Sequence, residues 1–121
     1  MIINFPGPTV PPTQVTVAVR PDKLRTGQTG SLTCESTSSN PEARLMWIHD
    51  GVLIPSTTNS SVAGQYGGVI SKSSLDLPIT ADLHGAVITC QATNDIGGQS
   101  IHDAVTLEVL CEHSNQYKKN E

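Results

Sequence analysis

At 121 residues the chain has room for one domain around one hydrophobic core, and not comfortably for two. Its net charge is −4, and its seven Lys and Arg are spread along the length, which argues against binding nucleic acid, where clustered cations must neutralise phosphates. No apolar run approaches the roughly 20 residues that span a bilayer, and with 36% hydrophobic residues and four aromatics (Phe5, Trp47, Tyr66 and Tyr117) the core is lean enough to need a covalent aid.

The chain opens on Met1-Ile2-Ile3-Asn4-Phe5-Pro6, which lacks the basic region and apolar run of a signal peptide. The segment therefore reads either as excised from a longer chain or as the start of a cytosolic one. Residues 1–12 are rich in Pro and Thr, favour an extended backbone, and read as a linker or added leader before the domain proper.

From Gln14 the pattern becomes alternation among β-formers. Val15, Val17 and Val19 share one face of a first strand, which Pro21 closes. A second strand runs from Gly30 to Glu35 with Leu32 and Cys34 facing the same way, and a third from Ala43 to His49 turns Leu45 and Trp47 inward. Asp50-Gly51 is a hairpin signal, because Gly tolerates the positive φ of tight turns, and Val52-Leu53-Ile54 answers as a short return strand stopped by Pro55. Residues 56–68 are Ser, Thr, Asn and Gly with little apolar content, giving loop or a weak edge strand. Alternation resumes from Val69 to Thr80 with Leu75, Leu77 and Ile79 aligned; Pro78 cannot donate a ladder hydrogen bond and marks an edge or a strand end. Asp82 to Gly85 reads as a tight corner, and Ala86 to Ala92 as a strand with Ile88 and Cys90 inward. Asn94 to Gly98 forms a hairpin loop, and Ile101 to Leu110 a last strand with Val105, Leu107 and Val109 aligned. Residues 111–121 are a polar tail expected to be disordered.

About seven short strands, no helical period and no internal repeat point to an all-β sandwich or barrel. Three cysteines are present, Cys34, Cys90 and Cys111, with no C-x-x-C pair and no His placed to complete a zinc set. Trp47 lies 13 residues after Cys34, and Cys90 lies 56 after it. In a two-sheet sandwich this puts one cysteine on each inner face, with the indole on the next strand able to cover the bridge. Closing so long a loop removes unfolded-state entropy equivalent to about 3–4 kcal/mol.

This spacing, with Gly30-Ser31-Leu32-Thr33-Cys34, Ser74-Leu75-Asp76-Leu77 and Val87-Ile88-Thr89-Cys90-Gln91-Ala92-Thr93-Asn94, resembles an immunoglobulin-superfamily domain of the C2 or I set over residues 13–110. Pro11-Pro12-Thr13-Gln14-Val15 and His84-Gly85-Ala86-Val87-Ile88-Thr89-Cys90 are most similar to C2-type domains of nephrin, nectin and sidestep-related adhesion receptors. One departure is that Ile88 occupies the place of the tyrosine that in many such domains ties a corner two residues before the second cysteine. The resemblance implies a Greek-key β-sandwich of two antiparallel sheets. It also implies an extracellular module of a cell-surface or secreted protein, acting as spacer or protein-binding domain beside neighbouring immunoglobulin domains. No cofactor, nucleic acid or membrane contact of its own is expected. The rival readings are a structural I-set domain of an intracellular filament or signalling protein, and a secreted immune or growth-factor-binding module.

Individual residues add detail. Asn59-Ser60-Ser61 is an N-glycosylation acceptor, although such triplets also arise by chance in Ser-rich segments. Cys111 has no evident partner; an interchain or interdomain bridge is one reading, a partner lying outside the segment the plainer one. His49, His84, His102 and His113 show no metal-ligand spacing, and no nucleophile elbow accompanies the Ser, His and Asp residues, so neither metal binding nor an enzyme is expected. Leu53, Ile54, Tyr66 and Ile96 could form an apolar contact patch on the sheet that carries the third and last strands.

Overall fold

The computed structural model describes residues 10–55, 57–94 and 100–110. Among the described residues ten strands form in chain order: β1 (Val15–Arg20), β2 (Leu24–Arg25), β3 (Thr29–Ser36), β4 (Arg44–His49), β5 (Val52–Ile54), β6 (Thr58–Ala63), β7 (Val69–Pro78), β8 (Val87–Thr93), β9 (Ser100–Thr106) and β10 (Val109–Leu110). Two antiparallel four-stranded sheets, ordered β1-β3-β7-β6 and β5-β4-β8-β9, pack face to face as the expected sandwich. Its non-sequential strand order is that of the Greek key.

Period-two patterning decides which residues enter the core. On β3 the burial alternates so that Gly30, Leu32, Cys34 and Ser36 point in, and on β8 Ile88, Cys90 and Ala92 do the same. These meet Val15, Trp47, Leu75, Ile79 and Leu107 in one cluster, with Val17, Val19, Leu45, Leu77 and Val105 half-buried against it. The Asp50-Gly51 turn has φ of 54° and 75°, positive at both central residues as the tight hairpin between β4 and β5 requires. Pro78 ends β7 opposite Thr29, beyond the last β7 residue that β6 pairs, so its missing N–H costs no ladder bond.

Two features differ from the sequence expectation. The segment between Pro21 and Gly30 carries an extra strand, β2, whose Leu24 is only 2% exposed, and β2 pairs in parallel with β10. A two-residue strand with one apolar side chain between Lys23 and Arg25 has no period to read. The last strand is divided for the same reason: β9 pairs with β8, and the chain then leaves it so that β10 can pair with β2. Residues 56–68, expected as loop or weak edge, contain the edge strand β6 and a single 3-10 turn at Gln65–Gly67.

The chain is hydrogen-bonded to the sandwich before β1 begins. Val10 exchanges backbone bonds of 2.8 and 2.7 Å with Asn40, and Ser39 exchanges 2.9 and 2.8 Å bonds with Val69, so residues 39–40 lie between the lead-in and β7. At the other side of the sandwich Asp103 of β9 reaches across to β1, where the Val17 N–H donates to its Oδ2 at 2.9 Å. Asp103→Ala strands that half-buried donor, and a loss of about 1–2 kcal/mol is expected in equilibrium denaturation, with faster amide exchange at Val17 than at Thr33.

Candidate functional site

The residues that the sequence singled out fall into a buried pin and an exposed sheet face. In the pin, Cys34 of β3 and Cys90 of β8 form a disulfide that joins the two sheets across a Cα–Cα distance of 6.4 Å. Trp47 lies beside Cys90 in the β4–β8 register and is 1% exposed. Its indole Nε1 donates to Ser73 Oγ at 2.9 Å, so the ring carries no unpaired polar atom into the core. Ser73 sits opposite Cys34 on β7, which puts the acceptor directly alongside the bridge. Ser71, two residues earlier on the same face, donates from its hydroxyl to the Ala43 carbonyl at 2.8 Å, and its N–H donates to Ser36 Oγ at 3.2 Å.

The exposed face belongs to the β5-β4-β8-β9 sheet. Register aligns Leu53, Ile48, Thr89 and Ala104 in one row across it, and Met46, Gln91 and His102 in the next. Leu53 is 54% and Val87 46% exposed, while Met46 and Ile48 are half-buried by their neighbours. Polar side chains on the same face include Gln91, whose Nε2 donates to Ser100 Oγ at 2.9 Å. The outer face of the opposite sheet has a different character. Its rows run Thr16, Glu35, Lys72, Ser60 and Ala18, Thr33, Ser74, Thr58, with a Glu–Lys pair at the centre and an apolar pair, Ile70 and the 46% exposed Val62, at the flank.

The expected apolar patch is therefore present in altered form. Leu53 belongs to it; Ile54 pairs with Trp47 and packs against the core from the inner side. Ile96 and the Tyr66 side chain lie outside the described residues, as do Cys111 and His113. Met46, Ile48 and Val87 were not singled out from sequence, although Met46 and Ile48 are the out-facing partners of Leu45 and Trp47 in the same alternation. Asn59 lies on the edge strand β6, exposed, at the mouth of a groove of about 260 Å³ whose walls are Arg44 to Met46 on one side and Ser60, Ser71 and Lys72 on the other.

Of the histidines, His49 lies on β4 with Nε2 3.5 Å from Asp50 Oδ2, and His84 Nδ1 accepts the Val109 N–H at 3.0 Å, joining the corner before β8 to β10. Among the described residues no three His, Cys, Asp or Glu side chains gather to hold a metal ion. The arrangement offers a rigid, partly apolar surface suited to contact with another macromolecule.

Comparison with known proteins places this geometry. Residues 8–100 match the family model of the CD80-like C2-set immunoglobulin domain. The chain is 30% identical over 100 residues to human nephrin and 28% identical over 110 residues to rat nephrin. It spans 8% of the length of either protein, while 83% and 91% of the chain are covered. Among solved structures, the full ectodomain (Ig1–Ig3) of mouse nectin-like molecule 4 superimposes with a TM-score of 0.77 at 23% identity, over 85% of this chain and 35% of that one. Rst D1-D2 gives a TM-score of 0.73 at 19% identity, over 84% and 51% of the two chains.

Ser73→Ala keeps the shape of the pin but leaves the indole N–H buried without its acceptor. A loss of about 1–3 kcal/mol is expected from chemical denaturation followed by Trp47 fluorescence, with the Cys34–Cys90 bridge intact by mass.

Proposed function

The chain belongs to the CD80-like C2-set immunoglobulin domains, and from that premise we propose that it is an extracellular module of a cell-surface adhesion receptor. It acts as a spacer, or as a protein-binding domain through the outer face of the β5-β4-β8-β9 sheet. The observation that carries this reading is the contrast between the two outer faces. One presents Leu53, Ile48 and Met46 in adjacent rows near its centre; the other is centred on Glu35 and Lys72 and keeps its apolar pair, Val62 and Ile70, to the flank beside β6. A rigid sheet with apolar side chains among Thr, Gln and His has the composition of a recognition surface, in which a few anchors carry the contact energy. Recognition of this kind is by shape and contact, with no bond made or broken.

The spacing role is supported at the opposite end of the molecule. The Val10–Asn40 bonds hold the lead-in against the sandwich, and Pro11 and Pro12 stiffen the backbone between that contact and β1. Whatever precedes Val10 is thereby joined to a fixed point on the domain. The extracellular setting is supported by the Cys34–Cys90 bridge, since such bonds persist in oxidising compartments.

Two measurements test this reading. Thiol labelling of the native chain under denaturing, non-reducing conditions should leave Cys34 and Cys90 unmodified; two reactive thiols there would remove the extracellular setting and favour an intracellular structural domain. In cells displaying the parent receptor, Leu53→Asp should weaken adhesion about tenfold or more when this face makes the contact, whereas Thr16→Asp on the opposite face should not. Unchanged adhesion in both variants would leave spacing as the domain's role.

A further inference from the structure

We propose that Asn59 carries an N-linked glycan, and that this glycan keeps the outer edge of β6 from pairing with a second copy of the chain. The proposal rests on the extracellular reading above and deepens it. β6 is the terminal strand of its sheet, paired with β7 alone, and all six of its residues are exposed. An exposed edge presents unpaired backbone donors and acceptors, and natural sheets blunt such edges with charge, proline, bulges, short length or a cover. The other edges are defended in these ways. β1 has its Val17 N–H taken by Asp103 and ends on Arg20; β5 is three residues long and is followed by Pro55; β9 carries Asp103 and His102. The sequence of β6, Thr-Asn-Ser-Ser-Val-Ala, holds no charge and no proline. What it does hold is the acceptor triplet Asn59-Ser60-Ser61.

Within β6 itself the bare polypeptide places no charge and no proline in the way of self-pairing. Antiparallel pairing about a two-fold axis at Ser61 sets Ser61 opposite Ser61, Ser60 opposite Val62 and Asn59 opposite Ala63, with no like charges facing each other. The glycan supplies the obstacle. Asn59 shares the face of Ser73 in the β6–β7 register and opens onto the groove between β6 and β4. β5 runs beside only Trp47 to His49 of β4, so a bulky hydrophilic group at Asn59 stands over β6 and over the flank of Leu45 and Met46 together. Both edges on that side of the sandwich are then covered by one modification, while Leu53 and Ile48 on the β5-β4-β8-β9 face stay open.

The test uses the full chain secreted from a eukaryotic cell line in a Cys111→Ser background, so that a thiol bridge cannot supply a dimer. Intact mass should show a glycan on Asn59, and sedimentation velocity a monomer. Ser61→Ala and Asn59→Gln each remove the acceptor and leave the edge neutral; both should raise the sedimenting mass about twofold at micromolar concentration while the melting transition is retained. Ser61→Lys also removes the acceptor but charges the edge, and it should remain monomeric. A secreted, folded chain without glycan overturns the proposal, as do monomeric Ser61→Ala and Asn59→Gln variants or a dimeric Ser61→Lys. Free thiols at Cys34 and Cys90 would instead indict the extracellular setting, which separates the two failures.

Discussion

The bond between Cys34 and Cys90 is the constraint on which the remaining packing depends, because it sets the separation of the two sheets at the centre of the sandwich. Each sulfur sits on the middle of a central strand, flanked on both sides by hydrogen-bonded neighbours, so the tie is transmitted to β1, β7, β4 and β9 through their ladders. Trp47 then fills the volume beside it, and full burial of one such ring contributes about 4–6 kcal/mol of apolar transfer, more than any other side chain here can supply. In a sequence where the aromatic residues are 3% of the whole, one ring and one bridge do what several rings do in richer cores. Neither element can be moved without the other, since Trp47 is registered against Cys90 and its indole bonds next to Cys34.

That arrangement explains why the inner face of β7 changes character along its length. Leu75 and Leu77 face the core at one end, where Leu32, Val105 and Leu107 complete an apolar layer. Ser71 and Ser73 occupy the same face at the other end, buried at 4% and 3%. At 73 a small side chain is required by the indole, and polar ones are required at both positions by what must be bonded: the Trp47 N–H, which Ser73 accepts, and the Ala43 carbonyl, to which Ser71 donates. A leucine at 73 would crowd the ring and leave the indole N–H buried and unpaired, and one at 71 would leave the Ala43 carbonyl without its donor, which costs more than the added apolar area returns. The serines are as much a part of the core as the leucines are.

These serines also mark where sequence reading stops. Alternation made β1, β3, β4, β7 and β8 legible because each buries one face of a long strand, and the Cys and Trp spacing was legible because it is a covalent and volumetric requirement. Ser71 and Ser73 carry no such signal; a serine in an alternating strand looks the same whether it faces solvent or an indole. Leu24 was invisible for a different reason, since a two-residue strand has no period, and its burial depends on β10 arriving from the far end of the chain. Ile48 and Met46 could have been found, because fixing Leu45 and Trp47 inward fixes their neighbours outward. The inward face of Ile54 is not legible in sequence, because the three residues of β5 are all apolar and give no alternation to decide it; only its pairing with Trp47 does.

What distinguishes the two sheets is how each manages the surface it does not bury. The β1-β3-β7-β6 sheet fills the centre of its outer face with Thr, Ser, Glu35 and Lys72, keeps Val62 and Ile70 at the flank, and leaves one uncharged edge. The β5-β4-β8-β9 sheet does the reverse, with one edge reduced to three residues and apolar side chains retained on its face. Exposed apolar area on a face is a site for shape-specific contact, whereas an exposed neutral edge pairs with almost any extended backbone, since backbone groups carry no sequence information. A module whose work is selective contact can therefore tolerate the first and must suppress the second. The acceptor triplet stands on the edge that needs suppression, and Leu53 and Ile48 lie outside the groove that Asn59 shares with Met46.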